Sequence, residues 1–211
     1  MPLLPVGGVV DHRFGVMSTP GHKGVPSGIV GGMRWAADNQ AFTRGFEPGP
    51  FFVWLKEMWA YRDACLFVPL PDVVGDATRT LRNFEAWRDW PAFRVWPLAV
   101  VAQDGQEDLE LPDPRHWSAL FVGGSTEWKV SEAAYSVILE AQRLGKHIHI
   151  GRVNWWKRYE HFASMPGSEE WTCDGTRTRF DGTKKTVEAW AGYMVKPVQS
   201  RFAVSVRNRG S

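Results

Sequence analysis

Apolar positions follow two rhythms along the chain. Continuous runs at residues 64–70, 96–102 and 118–122 read as strands covered on both faces. Between them, apolar side chains recur every three or four residues. Phe51, Trp54, Leu55 and Met58 stand at i, i+3, i+4 and i+7 within residues 50–62, the stripe of an amphipathic helix that a proline begins. Asp76 is placed to cap a helix running to about Asp89, and residues 131–144 predict another that closes at Gly145. Residues 155–164 and 186–195 predict two more, and strands begin near residues 14, 34, 65, 96, 118, 147 and 171. Strand and helix in alternation imply parallel strands joined by crossovers. The expected fold is therefore α/β, a compact (β/α)8 TIM-like barrel in a single domain over residues 1–211, with residues 202–206 as a candidate eighth strand. No Gly-x-Gly-x-x-Gly follows an early strand, which argues against a dinucleotide fold.

The strand exits carry the chemistry. In a strand-helix repeat the residues that leave the carboxyl ends of the strands surround a common cavity. Acids stand at three such exits, Asp38, Asp72 and Asp174, while Gln103-Asp104-Gly105, Gly123-Gly124-Ser125 and Gly151-Arg152 occupy three others. Asp174, between a short apolar run and a Gly-Thr-Arg turn, is the candidate nucleophile; an isolated Asp-Gly reads first as a turn or helix-capping residue, and the other strand exits reverse that preference. His147 and His149 share one face of an alternating strand, but no third ligand accompanies them and no metal is expected.

Composition narrows the partners. The 211 residues include 12 Trp, several times the usual load, which suits a thick core or base stacking. A net charge of +2 permits a nucleic-acid partner without demanding one. Arg177, Arg179, Lys184 and Lys185 form a basic cluster that phosphate contact and plain surface charge fit equally, and the basic segment 196–211 carries Arg201, Arg207 and Arg209; His22 and Lys23 in an early loop could meet a phosphate but read first as a solvated pair. Cys65 and Cys173 lie far apart with no Cys/His cluster, so reduced thiols in a cytoplasmic protein and no zinc subdomain are expected. The N-terminus lacks a basic lead or cleavage site, and no run approaches the roughly 18 apolar residues of a spanning helix, so neither secretion nor a membrane is expected.

In order, the exits resemble the motifs of the tRNA-guanine transglycosylase family, whose members are (β/α) barrels that exchange guanine for a 7-deazaguanine. Asp38-Asn39-Gln40-Ala41-Phe42 looks like the family's Asp-Ser-Gly-Gly/Ala-Phe, and Val101-Ala102-Gln103-Asp104-Gly105 like its Val-Gln-Gly-Gly. Leu120-Phe121-Val122-Gly123-Gly124 resembles Ile-Gly-Gly-Leu, and His149-Ile150-Gly151-Arg152-Val153 resembles Leu-Met-Gly-Val-Gly. Cys173-Asp174-Gly175-Thr176-Arg177 is similar to Phe-Asp-Cys-Val-x-Pro-Thr-Arg. The likeness spans residues 34–180; the proline of the last motif and the family's Cys/His zinc site are missing.

The resemblance implies Asp174 as nucleophile, Asp38 as general acid and base, and Asn39, Asp72, Gln103, Gly123 and Gly124 around the base; Arg177, Arg179, Lys184 and Lys185 are, from their charge, the candidate phosphate contacts. Loss of the zinc site is similar to the phage and bacterial branch that inserts 7-deazaguanines into DNA. The expected partners are DNA, or RNA, and a free 7-deazaguanine base; no cofactor is implied. Two displacements through a carboxylate are the simplest way to retain the sugar for a second base, independently of the resemblance. The same residues also fit an N-glycosidase that uses water, a barrel enzyme acting on a small phosphorylated substrate, or a noncatalytic DNA-binding module.

Overall fold

The computed structural model describes residues 14–21, 23–43 and 45–175. Seven short strands run through them: β1 (Val16–Ser18), β2 (Trp35–Ala37), β3 (Val68–Pro69), β4 (Leu98–Ala102), β5 (Ala119–Val122), β6 (His147–Ile150) and β7 (Thr172–Cys173). All pair in parallel and in chain order, β1 with β2 in one sheet and β3-β4-β5-β6-β7 in another.

This is a parallel half-barrel beside a two-stranded sheet, and it corrects the expectation of a closed (β/α)8 barrel. Between β2 and β3 the sheets meet only through a single bridge, Trp35 to Cys65, and the bonds Ala37 N–H to Phe67 O (3.0 Å) and Leu66 N–H to Trp35 O (2.7 Å). Among the described residues no eighth strand appears and no ladder joins β7 to β1. Closure requires a fixed strand number and shear, and strands of two or three residues at both ends supply too few ladder bonds to enforce them. The repeat is also incomplete: between β4 and β5 the chain makes only two single-turn 3-10 helices, Gln106–Asp108 and Pro114–His116. The candidate strand 202–206, the helix 186–195 and the basic segment 196–211 lie outside the described residues.

The helices are α1 (Ser27–Val30), α2 (Pro48–Glu57), α3 (Ala77–Trp87), α4 (Thr126–Lys129), α5 (Glu132–Arg143) and α6 (Trp156–Ala163). Capping follows the sequence closely: Asp76 accepts from Arg79 N–H, and Ser131 from Ala134 N–H, each satisfying a first-turn donor. Gly145 ends α5 with φ +70°, and its N–H reaches Gln142 O. The α2 stripe is buried as predicted, though the helix tightens to 3-10 over Met58–Ala64.

Alternation along the strands sorts side chains between two cores. Val100, Leu120, Ile148 and Ile150 face the helices, against Phe84, Val137, Ile138 and Phe162. Trp35 anchors the same layer, edge-on to Trp54 at 6.0 Å and to Trp96 at 5.9 Å. Burying each such aromatic side chain contributes roughly 1.5–3 kcal/mol. The opposite, inner face holds a small cluster of Ala36, Phe67, Ala99 and Ala119, with Met17, Leu66 and Phe121 packed against it. Much of the Trp load is thus structural: Trp35, Trp54, Trp96, Trp117 and Trp128 are buried, whereas Trp59, Trp90, Trp155 and Trp156 are exposed. No helix among the described residues is long and apolar enough to cross a membrane.

Candidate functional site

Parallel order delivers the polar residues of the strand exits to one edge of the half-barrel. Asp38 follows β2, Asp72 follows β3, Gln103 and Asp104 follow β4, Gly123 and Gly124 follow β5, Arg152 follows β6, and Asp174 follows β7. Arg177, Arg179, Lys184, Lys185 and His22 lie outside the described residues; Lys23 is exposed in its loop.

Three of the predicted base-contacting side chains interlock. Asn39 Nδ2 donates to Asp72 Oδ1 and to Leu70 O, both at 2.9 Å. Gln103 Nε2 donates to Asp72 Oδ2 at 2.8 Å, and its Oε1 accepts from Gly75 N–H at 3.0 Å. Gln103 is only 2% exposed, so Asp72 is the member of this set that reaches toward the rim. Burial raises the Asp72 carboxyl; the bonds from Asn39 and Gln103 pull against it, and the charge of Asp38 adds to the rise.

Gly123 and Gly124 are explained first by packing. A Cβ on Gly123 would stand 2.8 Å from Gln103 Nε2, so only glycine lets that amide reach Asp72. Gly124 has φ +24°, and a Cβ there would overlap the Trp128 ring.

Asp38 and Asp174 differ in environment although each belongs to a strand exit. Asp38 Oδ1 accepts from Gln40 N–H at 2.8 Å, an Asx turn that holds Gln40 at φ +60°. Its Oδ2 has no hydrogen-bond partner among the described residues. Burial raises the Asp38 carboxyl, the Gln40 N–H opposes that, and the charge of Asp174 raises it further. Among the described residues Asp174 is bonded on Oδ1 alone, from Arg152 N–H at 2.9 Å and from the His149 Nε2 position at 3.2 Å. Burial works to raise Asp174, but the His149 ring, the Arg152 N–H and the Lys129 ammonium outweigh it and hold the carboxyl below its usual range. Cys173, the neighbouring thiol, is pushed up to about 12 by burial and by the Asp174 charge, so it stays protonated at neutral pH.

Sequence reasoning missed the residues that support Asp174. Lys129, at the end of α4, is 2% exposed and donates to Gly151 O at 2.6 Å. Burial, aided by the Arg152 charge and opposed by Asp174 and Asp104, lowers it to about 8. Asp104, which accepts from Ser125 N–H at 2.7 Å, thereby ties the β4 exit to the N-cap of α4. The signal was Ser125 directly after Gly123-Gly124, a cap that starts a helix too short to show a period. Arg152, at φ +59°, donates Nη2 to Gly124 O at 2.7 Å and lays its guanidinium 4.2 Å from the centre of the Phe42 ring. His147 and His149 do share a face, as alternation predicted, and both meet Thr172 Oγ1 at 2.8 Å.

A cavity of about 120 Å³ adjoins the β2 exit, with Asn39, Gln40, Glu47 and Phe51 in its lining. It lies beside the Asp38 turn, and Asp174 does not line it. Chemically, the edge presents one carboxyl held below its usual range, one raised above it and a buried polar bracket, groups that suit a displacement with proton transfer. No family model, curated protein or solved structure matches the chain.

Proposed function

We propose that the chain is a base-exchange glycosyltransferase that removes guanine from a nucleotide of DNA and installs a 7-deazaguanine on the same sugar. The observation that carries this reading is the placement of Asp38, Asp72 and Asp174 after parallel strands, with Asp72 bracketed by Asn39 and Gln103; the raised Asp38 and lowered Asp174 carboxyls suit it. Asp174 Oδ2 attacks the anomeric carbon as the bond to the guanine nitrogen breaks, and Asp38 delivers the proton that leaves with guanine. The glycosyl-aspartate then meets the incoming base. Asp38, now a carboxylate, takes the proton from the ring nitrogen of that base as the nitrogen displaces Asp174. Guanine leaves, a deazaguanine enters, and both the proton balance and the sugar configuration are restored.

Asp72, oriented by Asn39 and Gln103, serves the polar edge of the base in this reading. Phe42, Trp155 and Trp156 are exposed near strand exits and suit stacking against neighbouring nucleotides. Incorporation of a labelled 7-deazaguanine into double-stranded DNA and, in parallel, into tRNA tests the reading with wild type, Asp174→Asn and Asp38→Asn. Label in DNA with wild type alone is expected. Label in tRNA alone moves the substrate to RNA, free guanine without incorporation marks an N-glycosidase, and no reaction with folded protein overturns base exchange.

A further inference from the structure

We propose that Thr172 and His147 are positioning residues for the nucleophile: through a one-directional hydrogen-bond chain they hold His149 as the tautomer whose Nε2–H donates to Asp174. The functional part of this inference rests on the reading of Asp174 as nucleophile; the hydrogen-bond chain itself does not. Parallel pairing sets His149 opposite Thr172, which puts both side chains on the inner face, and His147 joins them two residues earlier. Thr172 Oγ1 lies 2.8 Å from His147 Nε2 and 2.8 Å from His149 Nδ1, and His149 Nε2 lies 3.2 Å from Asp174 Oδ1.

The direction follows from counting protons. An ionised carboxylate only accepts, so the nitrogen facing Asp174 must carry hydrogen. A neutral imidazole has one N–H, which leaves Nδ1 of His149 as an acceptor for the Thr172 hydroxyl. Having given its one proton to His149, Thr172 accepts in turn from His147 Nε2–H. The reverse sense needs a second proton on His149, whose ring is 4% exposed with Phe67 at 4.9 Å and Phe121 at 5.0 Å, a costly place for a cation. Lys129 already supplies a positive charge toward Asp174. The chain thus ends on Oδ1, as does the Arg152 N–H, and among the described residues no bond reaches Oδ2.

The test is nitrogen NMR of the full-length protein labelled in histidine, with the His149 signals assigned by His149→Gln. Wild type is expected to show His149 protonated on Nε2 alone. Thr172→Val removes the hydroxyl at nearly constant volume and leaves Nδ1 without its donor, so a fraction of ring protonated on Nδ1 should appear beside the Nε2–H form that Asp174 still favours, while Thr172→Ser restores the single form. In single-turnover adduct formation, Thr172→Val should slow the step roughly 10-fold with KM unchanged, and Thr172→Ser should recover it. A proton on Nδ1, protons on both nitrogens, or a Thr172→Val protein that keeps both the wild-type tautomer and the wild-type rate would each overturn the inference. The tautomer is read without substrate, so it stands or falls separately from the exchange reaction, which Asp174→Asn tests.

Discussion

Asp38 and Asp174 interact across the site and are driven in opposite directions: burial and the charge of Asp174 raise the first, while the His149 ring, the Arg152 N–H and Lys129 hold down the second. One carboxyl is thereby biased to carry a proton and the other to lack one, a division of labour that two exposed aspartates would not show.

This asymmetry sets the pH behaviour of the two half-reactions. Adduct formation needs Asp38 protonated, so its rate should fall as pH rises through the raised Asp38 value; adduct consumption needs the carboxylate and should rise through the same value. Rapid-quench rates for each half-reaction across pH would measure both limbs. Asp38→Asn should flatten the pair together, and limbs that survive in that variant would assign them to another group.

Lys129 is a buried cation whose main service is electrostatic. Replacing it with methionine keeps most of the packing but leaves Gly151 O without its donor and Asp174 without an offsetting charge, so the protein should lose about 1–3 kcal/mol. The Asp174 carboxyl should rise toward its ordinary range, which moves the acid limb of adduct formation to higher pH. Chemical denaturation and the pH-rate profile of Lys129→Met read the two effects separately. Large destabilisation with an unmoved acid limb would make Lys129 a structural residue.

Gly123→Ala should act through Gln103. The new methyl group would lie 2.8 Å from Gln103 Nε2 and 3.2 Å from Ala102 O, so the amide must leave Asp72 or the strand must shift, at about 1–3 kcal/mol. Because Gln103→Ala removes the same partner, the double variant should be less destabilised than the sum of the two single ones. Urea midpoints of the four proteins complete the cycle. Additive losses would show that Gly123 is needed for something other than the Gln103 bond.

His147 gives stability a slope on the acid side. Burial, aided by the charge of Arg34, lowers it from 6.5 to about 4, so the folded state binds its proton less readily than the unfolded chain. Its contribution is complete above 6.5 and is lost as pH falls toward about 4. Asp38 and Asp72, raised in the folded state, work in the opposite sense: they favour folding below their unfolded values and lose that contribution as pH rises through their folded ones. His147→Gln keeps a donor for Thr172 and removes only the histidine term, so the urea midpoint should decline less than in wild type between pH 6.5 and 4. Equal declines would mean that His147 is already charged in the fold.

Local chemistry fixed much of this protein from its sequence. The seven strand starts, the buried stripe of α2, the Asp76 and Ser131 caps and the Gly145 stop depend on near neighbours in the chain, and each stands where the apolar rhythm put it. That the strands are parallel follows from the same alternation, and with it the gathering of Asp38, Asp72, Gln103 and Asp174 at one edge. Tertiary structure decided what lies between distant segments. A half-barrel and a closed barrel share one local pattern and differ in shear and ladder length, so the sheet break at β2–β3 could not be read from periodicity. Lys129 was hidden because a charged residue in a four-residue helix looks like surface until β6 places Gly151 O over it. The two histidines were visible as a pair, but only the β6–β7 register supplies Thr172 between them and Asp174 at the end, because hydrogen-bond partners 23 and 25 residues apart are chosen by packing rather than by spacing.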